Sequence, residues 1–321
     1  MYEMNNNNKN ITIPSWLDEI IFNDFEAIYQ PRPLDVVYNP DQSFEFVRVY
    51  LGTYFPRSYA EAYHIINNLL LNDLYKKSLS DLEELDILDF CCGTGGELVG
   101  LLVAINENLP NVKRVKINAY DANPNALRHL YKIKGKIERQ FKFQIILDIQ
   151  CLFVETKQHI QDVVNFSNVP YHFILSFKAI NEFVQKNTFG EKNPYELIAL
   201  YFSPLLANNG ILIITDVTSM ANNGSYYPQI MNSGLNRFLK ENKDYKTIIP
   251  NACYFHEQKC FGCYMQDTFL VTHSRKVRDI TKIIYRILCK EKFALDIMIG
   301  KPEKPCRATK PQCDKNLPYN N

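Results

Sequence analysis

No stretch of this chain approaches the ~18 consecutive apolar residues that a membrane-spanning helix needs, so no spanning helix is expected. The opening Met1-Tyr-Glu-Met-Asn-Asn-Asn-Asn-Lys-Asn10 lacks both the basic start and the apolar run of a secretory signal. A cytoplasmic address is therefore expected. Charge of one sign is also missing: 36 Lys and Arg stand against 35 Asp and Glu, a net of +1, so bulk electrostatics names no partner. Paired cysteines are not evident either. Nine, an odd number scattered over 321 residues, argue against a disulfide framework and leave buried thiols or a metal site. With 46% apolar and 22% charged residues, the chain has ample material for a core and does not have the composition of a disordered protein.

Residues 1–13 are polar and Asn-rich and are expected to form a flexible tail. From 14 to 80 apolar residues recur at helical spacing, as in Ala60, Tyr63, Ile66, Leu69 and Leu70, which predicts a helical N-terminal extension that could serve as a lid. Short apolar runs then alternate with helical stretches. Strands are expected at 85–90, 115–120, 142–153, 173–177 and 211–216, and helices at 97–108, 125–136, 157–166 and 196–206. Such alternation predicts a parallel α/β sheet covered by helices, within a domain spanning 81–275. Toward the end a helix over 226–240 precedes two extended segments, 245–254 and 268–273, which read as a terminal antiparallel hairpin. Residues 276–321 are expected to be a helical and basic appendage: between His273 and Lys315 there are twelve Lys and Arg against five Asp and Glu.

The most informative stretch is Ile87-Leu-Asp-Phe-Cys-Cys-Gly-Thr-Gly-Gly-Glu97, an apolar strand that runs through a Gly-rich turn into a helix. Glycine lets backbone approach a ligand closely at the carboxyl end of a first strand, which is how nucleotide pockets are built. This stretch resembles the acidic-x-Gly-x-Gly-x-Gly pattern of class I methyltransferases: Gly93 and Gly95 match its second and third glycines, and Cys91 stands in place of the first. The second strand ends in Ala119-Tyr-Asp-Ala-Asn123, where a carboxylate can accept from both ribose hydroxyls, so Asp121 is the expected sugar ligand. Asp89, beneath the turn, either meets an ammonium group or caps local amides. With Thr94, Ala122 and Ser176 these residues compose the expected cofactor set, and the resemblance implies S-adenosylmethionine as the cofactor.

The fourth strand ends in Phe173-Ile-Leu-Ser-Phe-Lys-Ala-Ile-Asn-Glu182, whose carboxyl end should open on the reaction cleft. Lys178, Asn181 and Glu182 are candidates to line it. Arg57 and Tyr59 in the N-terminal extension are further candidates, with Tyr50, Tyr54, Phe55 and Tyr63 as aromatics for a lid. No residue stands out as a general base, and methyl transfer to an already nucleophilic atom can proceed by positioning alone. Near the end, Cys260-Phe-Gly-Cys263 has metal-knuckle spacing and Cys253 lies just upstream, so zinc, an iron–sulfur cluster or buried unligated thiols all remain open.

Taken in order, Tyr54-Phe-Pro-Arg-Ser-Tyr-Ala60, the Gly-rich turn, Ile174-Leu-Ser-Phe-Lys-Ala-Ile-Asn-Glu-Phe183 and Pro250-Asn-Ala-Cys-Tyr-Phe-His256 are similar to the methyltransferase-like proteins associated with the small ribosomal subunit of mitochondria and bacteria. The resemblance covers about residues 45–280. It implies a Rossmann-like, seven-stranded class I methyltransferase sheet, a cysteine-ligated metal centre and RNA or the small ribosomal subunit as partner. Three functions follow as expectations: a methyltransferase acting on RNA, one acting on a small molecule or peptide, or a non-catalytic RNA-binding factor that keeps the cofactor fold.

Overall fold

A computed structural model describes residues 10–30, 43–167, 169–256 and 266–303. The tail up to residue 9, the knuckle cysteines Cys260 and Cys263, and the chain beyond 303 lie outside the described residues. The N-terminal part comprises β1 (Asn10–Thr12), α1 (Ser15–Glu19) running into a π turn, α2 (Phe44–Thr53), α3 (Phe55–Leu70) and α4 (Asp73–Ser80). Then β2 (Glu84–Phe90), α5 (Gly96–Asn108), β3 (Arg114–Asp121), α6 (Pro124–Ile137), β4 (Gln144–Cys151) and α7 (Lys157–Phe166) alternate. The alternation continues through β5 (Tyr171–Phe177), α8 (Ile180–Lys186), α9 (Pro194–Phe202), β6 (Leu206–Val217) and α10 (Tyr227–Glu241). Last come β7 (Tyr245–Ile249), α11 (Asn251–His256), β8 (Asp267–His273), β9 (Lys276–Lys290) and α12 (Glu291–Met298).

Among the described residues the strands form one nine-stranded sheet in the order β1-β8-β9-β6-β5-β2-β3-β4, with β7 also pairing β9. The five strands β4-β3-β2-β5-β6 run parallel, and β9 joins antiparallel to β6. This is the expected α/β, Rossmann-like architecture, with nine strands among the described residues where seven were expected, because β1 and β7 add to the edge formed by β8 and β9. Strand order reverses between β2 and β5, so the two strands diverge into their crossovers in opposite directions and leave a crevice at their carboxyl ends. Helices cover both faces. On one side α5, α6 and α12 pack over Ile87, Ile117, Leu175 and Ile213; on the other α7, α8, α9 and α10 pack over Leu88, Phe90, Ile174 and Leu212.

The N-terminal extension is an added layer of the core. Helix α5 is buried continuously from Gly96 to Ile105, because the sheet takes one side and α3 the other. A helix apolar all round is stable in water only when enclosed in this way. The close approach is set by Gly100, where a Cβ would fall 2.4 Å from the Tyr59 carbonyl oxygen.

Three expectations are corrected. Asn10–Thr12, read as part of a flexible tail, pairs with β8 because the alternating Ile11 and Ile13 are buried. The terminal hairpin is β8 with β9, not 245–254 with 268–273: β7 stops at Ile249 and α11 follows. Residues 276–290, expected to open a helical appendage, form the longest strand. Their buried positions Asp279, Thr281, Ile283 and Ile287 alternate with exposed Lys276, Arg278, Ile280 and Lys282 before both faces become covered. That is strand periodicity.

Candidate active site

The crevice is built on the turn after β2. Cys92 N–H donates to the Tyr120 carbonyl (2.9 Å) and Gly95 N–H to the Cys92 carbonyl (2.8 Å), which closes a tight loop onto the N-terminus of α5. Three of its residues take left-handed backbone: Cys91 (φ 62°), Gly93 (φ 50°) and Gly95 (φ 78°). Cys91, standing where the methyltransferase pattern has glycine, thus keeps glycine's conformation. Thr94 is buried within the turn.

Asp121 ties this turn to the next strand. Its Oδ2 accepts from the Gly93 N–H at 2.7 Å and its Oδ1 from the Asn123 N–H at 2.8 Å. Each carboxylate oxygen has capacity for another donor, and the side chain remains half-buried at the rim beside Ala122. Burial raises its pKa, opposed by those backbone amides.

Asp89 lies beneath the turn, fully buried, and neither carboxyl oxygen has a hydrogen-bond partner among the described residues. Burial, then the neighbouring Glu97 and Asp121, push its pKa well above the usual carboxylate range. Glu97, in the first turn of α5, is pushed up to about 8 by burial, with Lys178 opposing. Glu182, in the first turn of α8, is pushed up to about 7, again chiefly by burial. Several carboxyl groups therefore converge on one crevice with few cations among them.

Lys178 opposes the rise at Glu97, and Lys186 the rise at Glu182. Lys178 sits just past β5 with φ 53°, and its Nζ is 2.8 Å from Oε2 of the fully buried Glu61 on α3, whose Oε1 accepts from Thr281 Oγ1 at 2.7 Å. Asp216 ties the starts of α8 and α9 to the end of β6: its Oδ2 accepts from the Asn181 N–H (2.8 Å) and the Tyr195 hydroxyl (2.7 Å). Burial pushes Asp216 up to about 7 despite these donors.

The structure thus brings Asp89, Cys91, Gly93, Thr94, Gly95, Asp121, Ala122, Lys178, Asn181 and Glu182 to one edge of the sheet. It places three candidates elsewhere. Leu175 is in register with Asp89, so Ser176 projects from the opposite face of the sheet. Tyr59 is buried in the core and stacks on Tyr63 at 6.0 Å. Arg57 is held by a bidentate ion pair to Asp279, both contacts 2.7 Å.

Four residues with a part in the crevice were not assigned to it from sequence alone. Glu97 opens α5 just ahead of the apolar run 98–105, Glu61 interrupts the buried face of α3 four residues after Arg57, and Asp216 lies near the end of an apolar strand. Tyr50 was visible only as one of several aromatics. An acid or aromatic inside an apolar run was the available signal for all four. For the metal expectation, Cys253 is buried on α11, and no group of three or more His, Cys, Asp or Glu among the described residues is placed to hold an ion. No helix among them is long and apolar enough to cross a membrane.

No protein-family model and no curated protein matches the chain. Solved structures do. A putative RNA methyltransferase from Pyrococcus horikoshii is similar over 87% of this chain and 98% of its own, at 11% identity and a TM-score of 0.39. The plantazolicin methyltransferase BpumL, in complex with a pentazolic desmethylPZN analog and SAH, is similar over 87% and 99%, at 16% identity and a TM-score of 0.43. Magnesium protoporphyrin IX methyltransferase from Synechocystis PCC 6803, with bound SAM, is similar over 84% and 96%, at 11% identity and a TM-score of 0.38.

Proposed function

We propose that this protein binds S-adenosylmethionine in the crevice between β2 and β5 and is a methyltransferase. The observation that carries the proposal is Asp89: a fully buried carboxyl with no partner for either oxygen, amid Glu97 and Asp121. Uncompensated buried carboxyls are costly, and a ligand bearing an ammonium and a sulfonium offsets that cost. Asp121 would take the ribose hydroxyls with the lone pairs its two amide contacts leave open, the backbone of Cys91 to Gly95 would lie under the methionine end, and Asp89 would meet the ammonium. Bound there, the donor supplies an electrophilic methyl group. Lys178 and Asn181 shape the acceptor side, and Glu182, held near neutrality, is suited to accept a proton from the acceptor atom.

RNA is the acceptor we favour. The β8–β9 hairpin supports it: residues 276–282 continue past the end of β6, about 20 Å beyond the carboxyl edge on which the crevice opens. Lys276, Arg278 and Lys282 face outward from it, and among the described residues they pair with no carboxylate. Phosphates would be held on this arm and repelled by the carboxyls inside, so that only an uncharged base or ribose edge enters.

Calorimetric titration with S-adenosylmethionine at pH 6.5 and 8.5 tests the donor site. A cation favours ionised carboxylates, and Glu182 and Glu97 hold protons up to about 7 and about 8, so binding should tighten as pH rises, with net proton release. Asp89→Asn should weaken binding by roughly tenfold. Absence of binding at both pH values would overturn the proposal.

A further inference from the structure

Helix α2 carries a residue that the donor site above does not use. Tyr50 leans from it over the Gly-rich turn, so close that a Cβ on Gly93 would lie 3.1 Å from its ring edge and 3.2 Å from its hydroxyl oxygen. The side chain is half-buried, and its hydroxyl makes no hydrogen bond among the described residues. Burial, and then the negative charges of Glu97 on α5, Asp121 at the end of β3 and Glu182 on α8, hold its hydroxyl pKa well above the usual phenol value. The ring edge and hydroxyl therefore lie against the turn that follows β2.

The ring is also firmly held. Ser43 caps α2 by accepting from the Phe46 N–H at 3.2 Å, and Val47 and Leu51 are buried beneath the helix. Gly52 lets the helix meet the backbone of Ile28, where a Cβ would fall at 2.4 Å. Tyr54 packs against the Tyr50 ring, centroids 5.1 Å apart at 38°.

We infer that Tyr50 is the aromatic contact of the donor's sulfonium, its ring face binding the cation and thereby favouring S-adenosylmethionine over the uncharged-sulfur product, S-adenosylhomocysteine. The inference rests on the donor site proposed above. An aromatic face attracts a cation through its quadrupole, and the attraction grows where water is excluded. Here the ring edge and hydroxyl lie against the turn, and the nearby carboxyl groups favour positive charge. Product release after transfer follows from the same contact, because the thioether that remains loses it.

The experiment compares affinities for the two ligands in the wild type, Tyr50→Phe and Tyr50→Leu, with thermal unfolding as the fold control. Tyr50→Phe keeps the ring and should keep the preference for S-adenosylmethionine. Tyr50→Leu keeps apolar bulk without a quadrupole and should lose about three- to thirtyfold of that preference. A Tyr50→Leu protein that binds both ligands more weakly by the same factor, or equally well, would reduce Tyr50 to packing and overturn the inference. So would a loss of preference in Tyr50→Phe, which would assign the contact to the hydroxyl. Wild-type protein that binds neither ligand is a separate result: it removes the donor site itself.

Discussion

Cys91 holds a backbone conformation that its side chain disfavours. At φ 62° a Cβ crowds the following carbonyl, which costs about 1–2 kcal/mol for an L-residue. Cysteine is small enough to bear it, and its half-buried thiol packs on the apolar side of the turn. A β-branched residue is not. Cys91→Val should therefore destabilise the protein by about 1–2 kcal/mol in urea unfolding, whereas Cys91→Gly should remain within ~1 kcal/mol of wild type, because relief of strain offsets lost packing and added unfolded-state entropy. Equal effects of the two substitutions would show that side-chain volume, and not φ, decides the site. At this scale the sequence is readable where chemistry and position coincide. Asp89, Gly93 and Asp121 follow from strand ends and a turn, and Asp121 accepts from the Gly93 N–H. Ser176, Tyr59 and Arg57 lie near a strand end or motif in the sequence, but register, helix face and a partner more than 200 residues away, Asp279, set where their side chains go.

Helices α3 and α5 show how an element's neighbours outweigh its own propensities. Gly100 in mid-helix costs α5 about 1 kcal/mol in intrinsic propensity relative to alanine. It is nevertheless required, because a Cβ there would meet the Tyr59 carbonyl oxygen at 2.4 Å and the Tyr63 nitrogen at 2.9 Å, both backbone atoms that cannot rotate away. Gly135 in α6 is the natural control: it is exposed, and a Cβ added there would meet nothing within 4 Å. The same Gly→Ala change should thus have opposite signs, destabilising by about 1–2 kcal/mol at Gly100 and stabilising by about 0.5–1 kcal/mol at Gly135, as read by thermal unfolding. Two shifts of one sign would show that the α3–α5 contact relaxes freely. Element by element, the parallel strands and their crossover helices were legible because each is a short apolar run bounded by turn residues. The basic outward residues of β9 resemble a solvated tail in the sequence, although Asp279, Thr281, Ile283 and Ile287 recur every second or fourth position in the buried set.

Over the whole molecule, a net charge of +1 conceals a separation of charge. Carboxyl groups gather in the crevice, and Lys276, Arg278 and Lys282 gather on the outward face of the β8–β9 arm, spaced by strand geometry at multiples of about 7 Å. Composition cannot report this, because the sum is blind to which side of a strand each charge occupies; the period-two pattern of β9, once recognised, does. The separation has a measurable consequence if the arm holds an RNA backbone. Binding of single-stranded RNA should weaken with salt, and a triple variant, Lys276→Glu with Arg278→Glu and Lys282→Glu, should lower affinity on any sequence and flatten the log–log salt dependence by about two, close to 0.7 per contact removed. Donor titration of the same variant serves as the fold control, since these side chains face away from the crevice. RNA affinity and salt slope both unchanged in the triple variant would detach the arm from the acceptor and shift the weight to a small molecule or peptide, whose recognition would have to lie within the carboxyl-lined crevice itself.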